Sequence, residues 1–259
     1  MEGHRHEIVE QFTAQAEGYA HAASIRAESA LELLVGFAGA GAEDRVLDVA
    51  CGPGLVTCAF ARVAREATGI DITPAMIEQA QEHAAESGVT NVRWRLGAVP
   101  PLPWPADSFE IVVSRYAFHH FDDPLAVLRE MVRVCAPGGR VVVCDLAPAP
   151  DTVEAFNAMD SLRDTSHVRA LTLDELRALF REAGLGEPRL TAYELEGELE
   201  ALLARSHPVP GGADEVRRRF RASLHDDHLG IDTRLDGDRI SFRYPIAVLA
   251  AVVAPPEPR

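Results

Sequence analysis

Apolar and polar positions change period several times along the chain, and each change marks an element. Ile8, Phe12, Gln15 and Tyr19 recur at the spacing of one helix face, and a second helix is expected over residues 24–37. From Arg45 onward, short β-branched runs alternate with longer amphipathic ones. Strands are expected at 45–49, 67–70, 92–95, 110–114 and 140–146, and helices at 55–65, 73–87 and 124–135. Gly88 ends the second of these helices and Pro137-Gly138-Gly139 the third. Strands separated by helices imply a parallel sheet covered on both faces. Beyond Leu146 the alternation loosens. A helix is expected at 153–162 and another from a Thr172 cap to Ala183, with Asp174 and Glu175 in its first turn. A strand follows at 189–195, then helices at 198–205 and 214–225 flanking the breaker PVPGG, and a closing strand at 240–253. No repeat or low-complexity linker divides the chain, so one α/β domain over residues 1–259 is expected.

Composition narrows the class. Hydrophobic residues make up 47% and charged residues 25%, the mix of a globule with a sizeable core. No apolar run reaches the ~18–20 residues of a membrane span. The opening MEGHRHEIVEQF lacks a signal-peptide core, so a cytoplasmic protein is expected. Forty acidic against 25 basic residues give a net charge of −15, which repels phosphate backbones and anionic lipid. Neither nucleic acid nor membrane is expected as a partner, and monomer and homodimer both remain open. Every basic residue is arginine, which excludes Schiff-base lysines, phosphate-loop lysines and Ser–Lys dyads. Cys51, Cys58, Cys135 and Cys144 form no CxxC pair and sit in apolar segments, so buried free thiols in a reducing compartment are expected.

The candidate chemistry begins at VLDVACGPG, residues 46–54, where an acid and two glycines stand at a strand-to-helix turn. Glycines admit a ligand close to the backbone, and the following helix offers unpaired amides. A third glycine, needed for the dinucleotide fingerprint, would fall at Thr57, which disfavours NAD and FAD.

VLDVACGPG resembles the nucleotide-binding loop of the Rossmann-like S-adenosylmethionine-dependent methyltransferases. GIDITPAMIEQA, PLPWPADSFEIVVS and HHFDDPLAVLREMVRVCAPGGRVVVCD follow in the order and at the separations of that family. The resemblance is detailed over residues 45–145 and weaker elsewhere. It implies a seven-stranded, mostly parallel sheet with an antiparallel last strand, and S-adenosyl-L-methionine as cofactor. It implies a cofactor core at 45–146 and helical caps at 1–40, 147–171 and 196–235. Asp71, ending the second strand, would grip the ribose hydroxyls; the alternative is a cap for the following helix. Gly52 and Gly54 would let the backbone pass under the cofactor, Ile72 would flank the adenine, and Asp48 would order the loop. Relatives carry an Asp after the third strand, where GAVP places Ala98; backbone at Ala98 and Val99 would read the adenine instead.

The resemblance also places candidates for the chemistry. His119 and His120 follow the fourth strand at the carboxyl edge of the sheet, near a methyl acceptor or bonded to local backbone. Arg115 and Tyr116 share that edge, Arg115 facing the methionine carboxylate or pairing with an acid. His167 lies in the insertion after the fifth strand. Tyr19 and His120 match a tyrosine–histidine pair that some relatives bring to the acceptor, His120 as base and Tyr19 as hydrogen-bonding partner. His225-Asp226-Asp227-His228 would spread over more than one helix face, so no metal site is expected, and the arginines at 217–221 read as a solvated face. The NPPY-type motif is absent after the fourth strand, where SRYAF stands. The expected function is methyl transfer to oxygen, nitrogen or carbon of a small molecule. The alternatives are a cofactor-assisted cyclase and a cofactor- or metabolite-binding module.

Overall fold

The computed structural model describes residues 2–20 and 26–255, and the side chains of Glu2, Glu17 and Tyr19 lie outside that description. Two helices, α1 (Glu2–Ala20) and α2 (Glu28–Ala38), precede the sheet. The alternating part comprises β1 (Arg45–Val49), α3 (Leu55–Ala61), β2 (Glu66–Asp71), α4 (Pro74–Glu86), β3 (Val92–Leu96), β4 (Phe109–Arg115), α5 (Pro124–Val134) and β5 (Cys135–Leu146). The remainder comprises α6 (Val153–Arg163), α7 (Leu173–Glu182), β6 (Arg189–Glu198), α8 (Leu199–Ala204), α9 (Gly212–Asp226), β7 (Arg234–Asp236) and β8 (Arg239–Val252).

Seven strands lie in the order β3-β2-β1-β4-β5-β8-β6, and β7 pairs with β8 as an eighth. The first five are parallel, and β8 runs antiparallel to both β5 and β6. Burial explains the apolar runs. Val46, Val113 and Val142 face one core with α2 and α3, while Leu47, Val112 and Val143 face the other with α5 and α7. A strand covered on both faces has no polar side to alternate with. The order reverses beside β1, between β2 and β4, and the carboxyl ends of these three strands open onto one crevice.

Three expectations need correction. β5 starts at Cys135 rather than residue 140, because Pro137-Gly138-Gly139 is a bulge inside the strand: Phe109 pairs with Cys135 and Ile111 with Arg140. α3 stops at Ala61 rather than residue 65. β7 had no counterpart, since its three residues are all exposed and carry no apolar pattern. The Thr172 cap is present as a capping box, with Glu175 reaching back to the Thr172 amide.

Candidate active site

The cleft at the reversal point encloses about 940 Å³, part of it open to solvent. Asp48, Gly52, Ile70, Asp71, Ile72 and Val99 form its floor and rim, Arg115, Tyr116 and His120 its inner end, and Arg5, Ile8 and Phe12 its α1 wall. The β1–α3 loop is held to β2 by backbone and carboxylate together. Cys51 N donates to Ile70 O at 3.0 Å and Gly52 N to Asp71 Oδ2 at 2.9 Å. Asp71 Oδ1 accepts from Thr73 N at 2.9 Å. Each Asp71 oxygen therefore takes one amide and keeps lone-pair capacity toward the cleft. Burial raises the Asp71 pKa against these hydrogen bonds.

Gly52 has a φ of +51°, and a Cβ added there would meet nothing within 4 Å, so the loop leaves open space at that point. Gly54 is different. It lies outside the cleft lining, and a Cβ there would come within 2.5 Å of Trp94 Cη2 and 2.9 Å of Ala80 Cβ. Gly54 serves the packing of α3 and α4 on β3. Ala50 and Tyr116 hold positive φ of 58° and 56° although neither is glycine, and both line the cleft. Such backbone strain concentrates at functional sites.

Asp48 is 1% exposed and accepts a hydrogen bond from Thr57 Oγ1 at 2.6 Å. Burial pushes its carboxyl up to about 7, with the Thr57 bond working the other way. The carboxyl thus sits at the floor of the cleft near its midpoint of ionisation at neutral pH.

A second chamber adjoins the first. Phe12, Tyr116 and His120 line both, and Gln15, His119, Leu146, Arg163, Asp164, Leu195, Leu202, Arg205 and Tyr244 complete the inner one. Beneath it lies a buried charge network. Asp160 is fully buried, takes a bidentate contact from Arg163 at 2.6 and 2.8 Å, and lies 3.1 Å from His167 Nδ1 without hydrogen-bond alignment. Burial would raise the Asp160 pKa, but Arg163 and His167 hold it well below the carboxylate range. His119 Nδ1 bonds Asp145; burial lowers the ring's pKa, Asp145 outweighs this, and the net direction is up.

His120 is set differently. Its Nδ1 lies 3.0 Å from the Ser166 carbonyl, which can only accept, so Nδ1 carries the proton and Nε2 keeps the lone pair. Burial, then His119, lowers its pKa to about 3, and the ring is neutral at pH 7. Phe12 packs edge-on against it with centroids 5.1 Å apart, and His4 Nε2 meets its carbonyl at 2.8 Å.

Residues 47–143 match the family described as methyltransferase domain. The chain is 36% identical over 206 residues to the uncharacterized methyltransferase YcgJ of Bacillus subtilis, covering 79% of each. The chain belongs to the S-adenosylmethionine-dependent methyltransferases. The crystal structure of YcgJ superposes on this methyltransferase with a TM-score of 0.79 and 29% identity, over 88% of this chain and 99% of that one. A putative methyltransferase from Bacillus halodurans gives a TM-score of 0.80 at 25% identity, over 88% of this chain and all (100%) of that one. The 27-O-demethylrifamycin SV methyltransferase of Amycolatopsis mediterranei is 35% identical over 159 residues, 59% of this chain and 57% of that one.

Class I fold, S-adenosylmethionine as cofactor and methyl transfer as the activity follow from this membership. The structure sorts the expected site residues. Asp48, Gly52, Asp71, Ile72, Val99, Arg115, Tyr116 and His120 meet at the cleft. Gly54 and Ala98 do not line it. Arg115 stacks over the Tyr116 ring at 4.3 Å and donates to its hydroxyl at 3.2 Å. His119 reaches only the inner chamber, and His167 reaches neither, because Asn157 Oδ1, 2.7 Å from its Nε2, and Asp160 enclose it. The Tyr19 side chain lies outside the described residues. The cap alternative for Asp71 is half right: it bonds the Thr73 amide, while Thr73 Oγ1 makes no cap bond and is buried without a partner. Arg217 pairs with Glu200 and Asp214, and Arg218 and Arg219 with Glu215, on the surface.

Arg5, Arg163, Arg205 and Tyr244 were not anticipated. The α1 stripe of Ile8, Phe12 and Gln15 was visible as a helix face, but its periodicity does not tell a core from a cavity wall.

Proposed function

We propose that this methyltransferase acts on a small-molecule acceptor held in the inner chamber, with His120 at the junction. The carrying observation is that the two cavities share Phe12, Tyr116 and His120 as walls. S-adenosylmethionine, when bound in the cleft, supplies a methyl group already activated on a sulfonium. Asp71 holds the ribose hydroxyls, the open side of Gly52 admits the cofactor close to the backbone, and Ile72 and Val99 flank the adenine. Asp48 ionises toward the cofactor's positive charge. What remains for the protein is to align the acceptor and keep water out.

His120 accepts the acceptor's proton or hydrogen bond at Nε2. A neutral ring with a depressed pKa is a weak base, so it orients the nucleophile first and takes the proton late. The net charge of −15 disfavours polyanionic acceptors, and the four buried thiols fit a reducing cytoplasm. The rifamycin relative, named for methylating a demethylated rifamycin, supports a small-molecule acceptor.

The test begins with calorimetry, which should show one S-adenosylhomocysteine site per chain. His120→Asn keeps a donor for the Ser166 carbonyl and removes Nε2. Turnover on an acceptor found by screening should then fall about a hundredfold or more, with S-adenosylhomocysteine affinity within a few fold. Unchanged turnover would show that positioning suffices. Joint loss of affinity and thermal stability would make His120 a brace.

A further inference from the structure

The inner chamber holds two polar groups that the protein itself does not satisfy. Tyr244 Oη, on a residue 4% exposed, has Arg163 beside it, which can only donate, so no protein acceptor takes its proton; Nε2 of Gln15, on a residue 5% exposed, has no hydrogen-bond partner. Both residues line the chamber. Buried polar groups are nearly always paired, because an unpaired one keeps its full desolvation penalty. Two in one cavity point to a ligand that supplies the missing partners.

The sign of the missing chemistry can be read. Burial pushes the Tyr244 phenol above its ordinary pKa, so it stays protonated and donates. Its ring is fixed by Phe156, with centroids 5.4 Å apart, and by Phe242 at 4.5 Å. The Gln15 amide nitrogen also donates. The chamber's carboxylate faces local partners: Asp164 Oδ1 accepts from both Ser166 N and Ser166 Oγ, and Oδ2 lies 3.8 Å from the Arg163 guanidinium. Arg163, paired with Asp160, and Arg205 complete the polar lining. The unmet capacity at Tyr244 and Gln15 is therefore for donation, which suits acceptor oxygens and gives an ammonium no partner at these two groups. Phe12, Leu146, Leu195 and Leu202 supply apolar wall for a carbon skeleton.

We propose that the substrate is a compact oxygen-bearing molecule whose carbonyl or hydroxyl oxygen is bound by Tyr244 and Gln15, and that these two residues set acceptor specificity. The proposal rests on the inner chamber being the acceptor site.

The experiment uses protein saturated with S-adenosylhomocysteine and ligand-observed NMR with catechol, 4-hydroxyacetophenone and benzylamine as probes. Catechol and 4-hydroxyacetophenone should bind, weaken about tenfold in Tyr244→Phe and in Gln15→Leu, and resist displacement by benzylamine. Tyr244→Phe should keep its S-adenosylhomocysteine affinity and melt at the same or a higher temperature, since it removes a buried hydroxyl whose proton has no protein acceptor. A structural hydroxyl would lower that temperature instead. The proposal is overturned by oxygen probes that bind the variants equally, by benzylamine binding as well as they do, or by no oxygen probe binding the loaded protein. It is equally overturned by a lower melting temperature for Tyr244→Phe. Failure to bind S-adenosylhomocysteine at all would instead remove the reading on which it rests.

Discussion

The two cavities are built in opposite ways. The cofactor cleft is made at the ends of β1, β2 and β4 by short contiguous loops, and backbone amides do much of the holding, as at Asp71. The inner chamber is assembled from α1, the ends of β4 and β5, α6, β6, α8 and β8, and side-chain charges buried beneath it do the holding. Backbone holding tolerates exchange of most side chains; a buried charge network does not. The first cavity can thus be common to a family while the second is particular to its member.

The largest expected effect attacks the second construction. Arg163→Met leaves Asp160 buried without its bidentate partner, and removing one member of a buried pair costs about 3–5 kcal/mol. The melting temperature should fall by roughly 10 °C, and adding Asp160→Asn should recover part of it. The folded fraction should still bind S-adenosylhomocysteine; if it does not, the two cavities are not independent. The contribution of Asp160 also has a pH sign. Its folded pKa is depressed, so its stabilisation is present above the ordinary carboxylate pKa and is lost as pH falls below it.

Asp71→Ala tests the first construction. Loss of a charged hydrogen-bonding partner costs ~1.5–3 kcal/mol, or about ten- to a hundredfold in S-adenosylhomocysteine affinity by calorimetry. Unchanged affinity would mean that β2 is not the ribose side.

A subtler effect belongs to Asp48. Its folded pKa of about 7 lies above the ordinary value, so this group favours the ligand-free fold at low pH and that contribution is lost as pH rises toward 7. A cationic ligand reverses the preference, so cofactor binding at pH 7 should release part of a proton. Titration calorimetry in two buffers of different ionisation enthalpy should show the release, and Thr57→Val should move its midpoint to higher pH. Equal apparent enthalpies in both buffers would show that Asp48 does not titrate on binding.

The smallest effect is expected at Ala98, which does not line the cleft. Ala98→Asp should leave S-adenosylhomocysteine affinity unchanged or tighten it. A tenfold loss would mean that GAVP is aligned wrongly with the family.

What the sequence disclosed follows the same division. The cleft was legible because Asp48, Gly52 and Asp71 lie in contiguous motifs whose spacing is itself the geometry. The sheet was legible because doubly buried strands leave unbroken β-branched runs such as Val141–Val143. Tyr244 was illegible: it sits in an apolar strand, and only the β8 pairing brings it to the chamber that His120 also lines. His167 was misplaced because nothing local shows that Asn157 and Asp160, one turn apart on α6, close around it. Gly54 matched its motif for a reason the motif does not state, the contact with Trp94.

β8 is longer than its neighbour β5 requires. Its pairing with β5 ends at Ile246, while its pairing with β6 continues to Ser241 and with β7 to Arg239. The overhang buries alternate residues, Ile240, Phe242 and Tyr244. Sliding the strand by one residue would turn all of them outward and uncouple β5 as well. Evolution and protein engineering therefore meet the same restriction. On the proposed reading, the choice of acceptor changes by substitution at Tyr244, the overhang residue that lines the inner chamber, but not by slippage, and a library at that position leaves the cofactor cleft untouched.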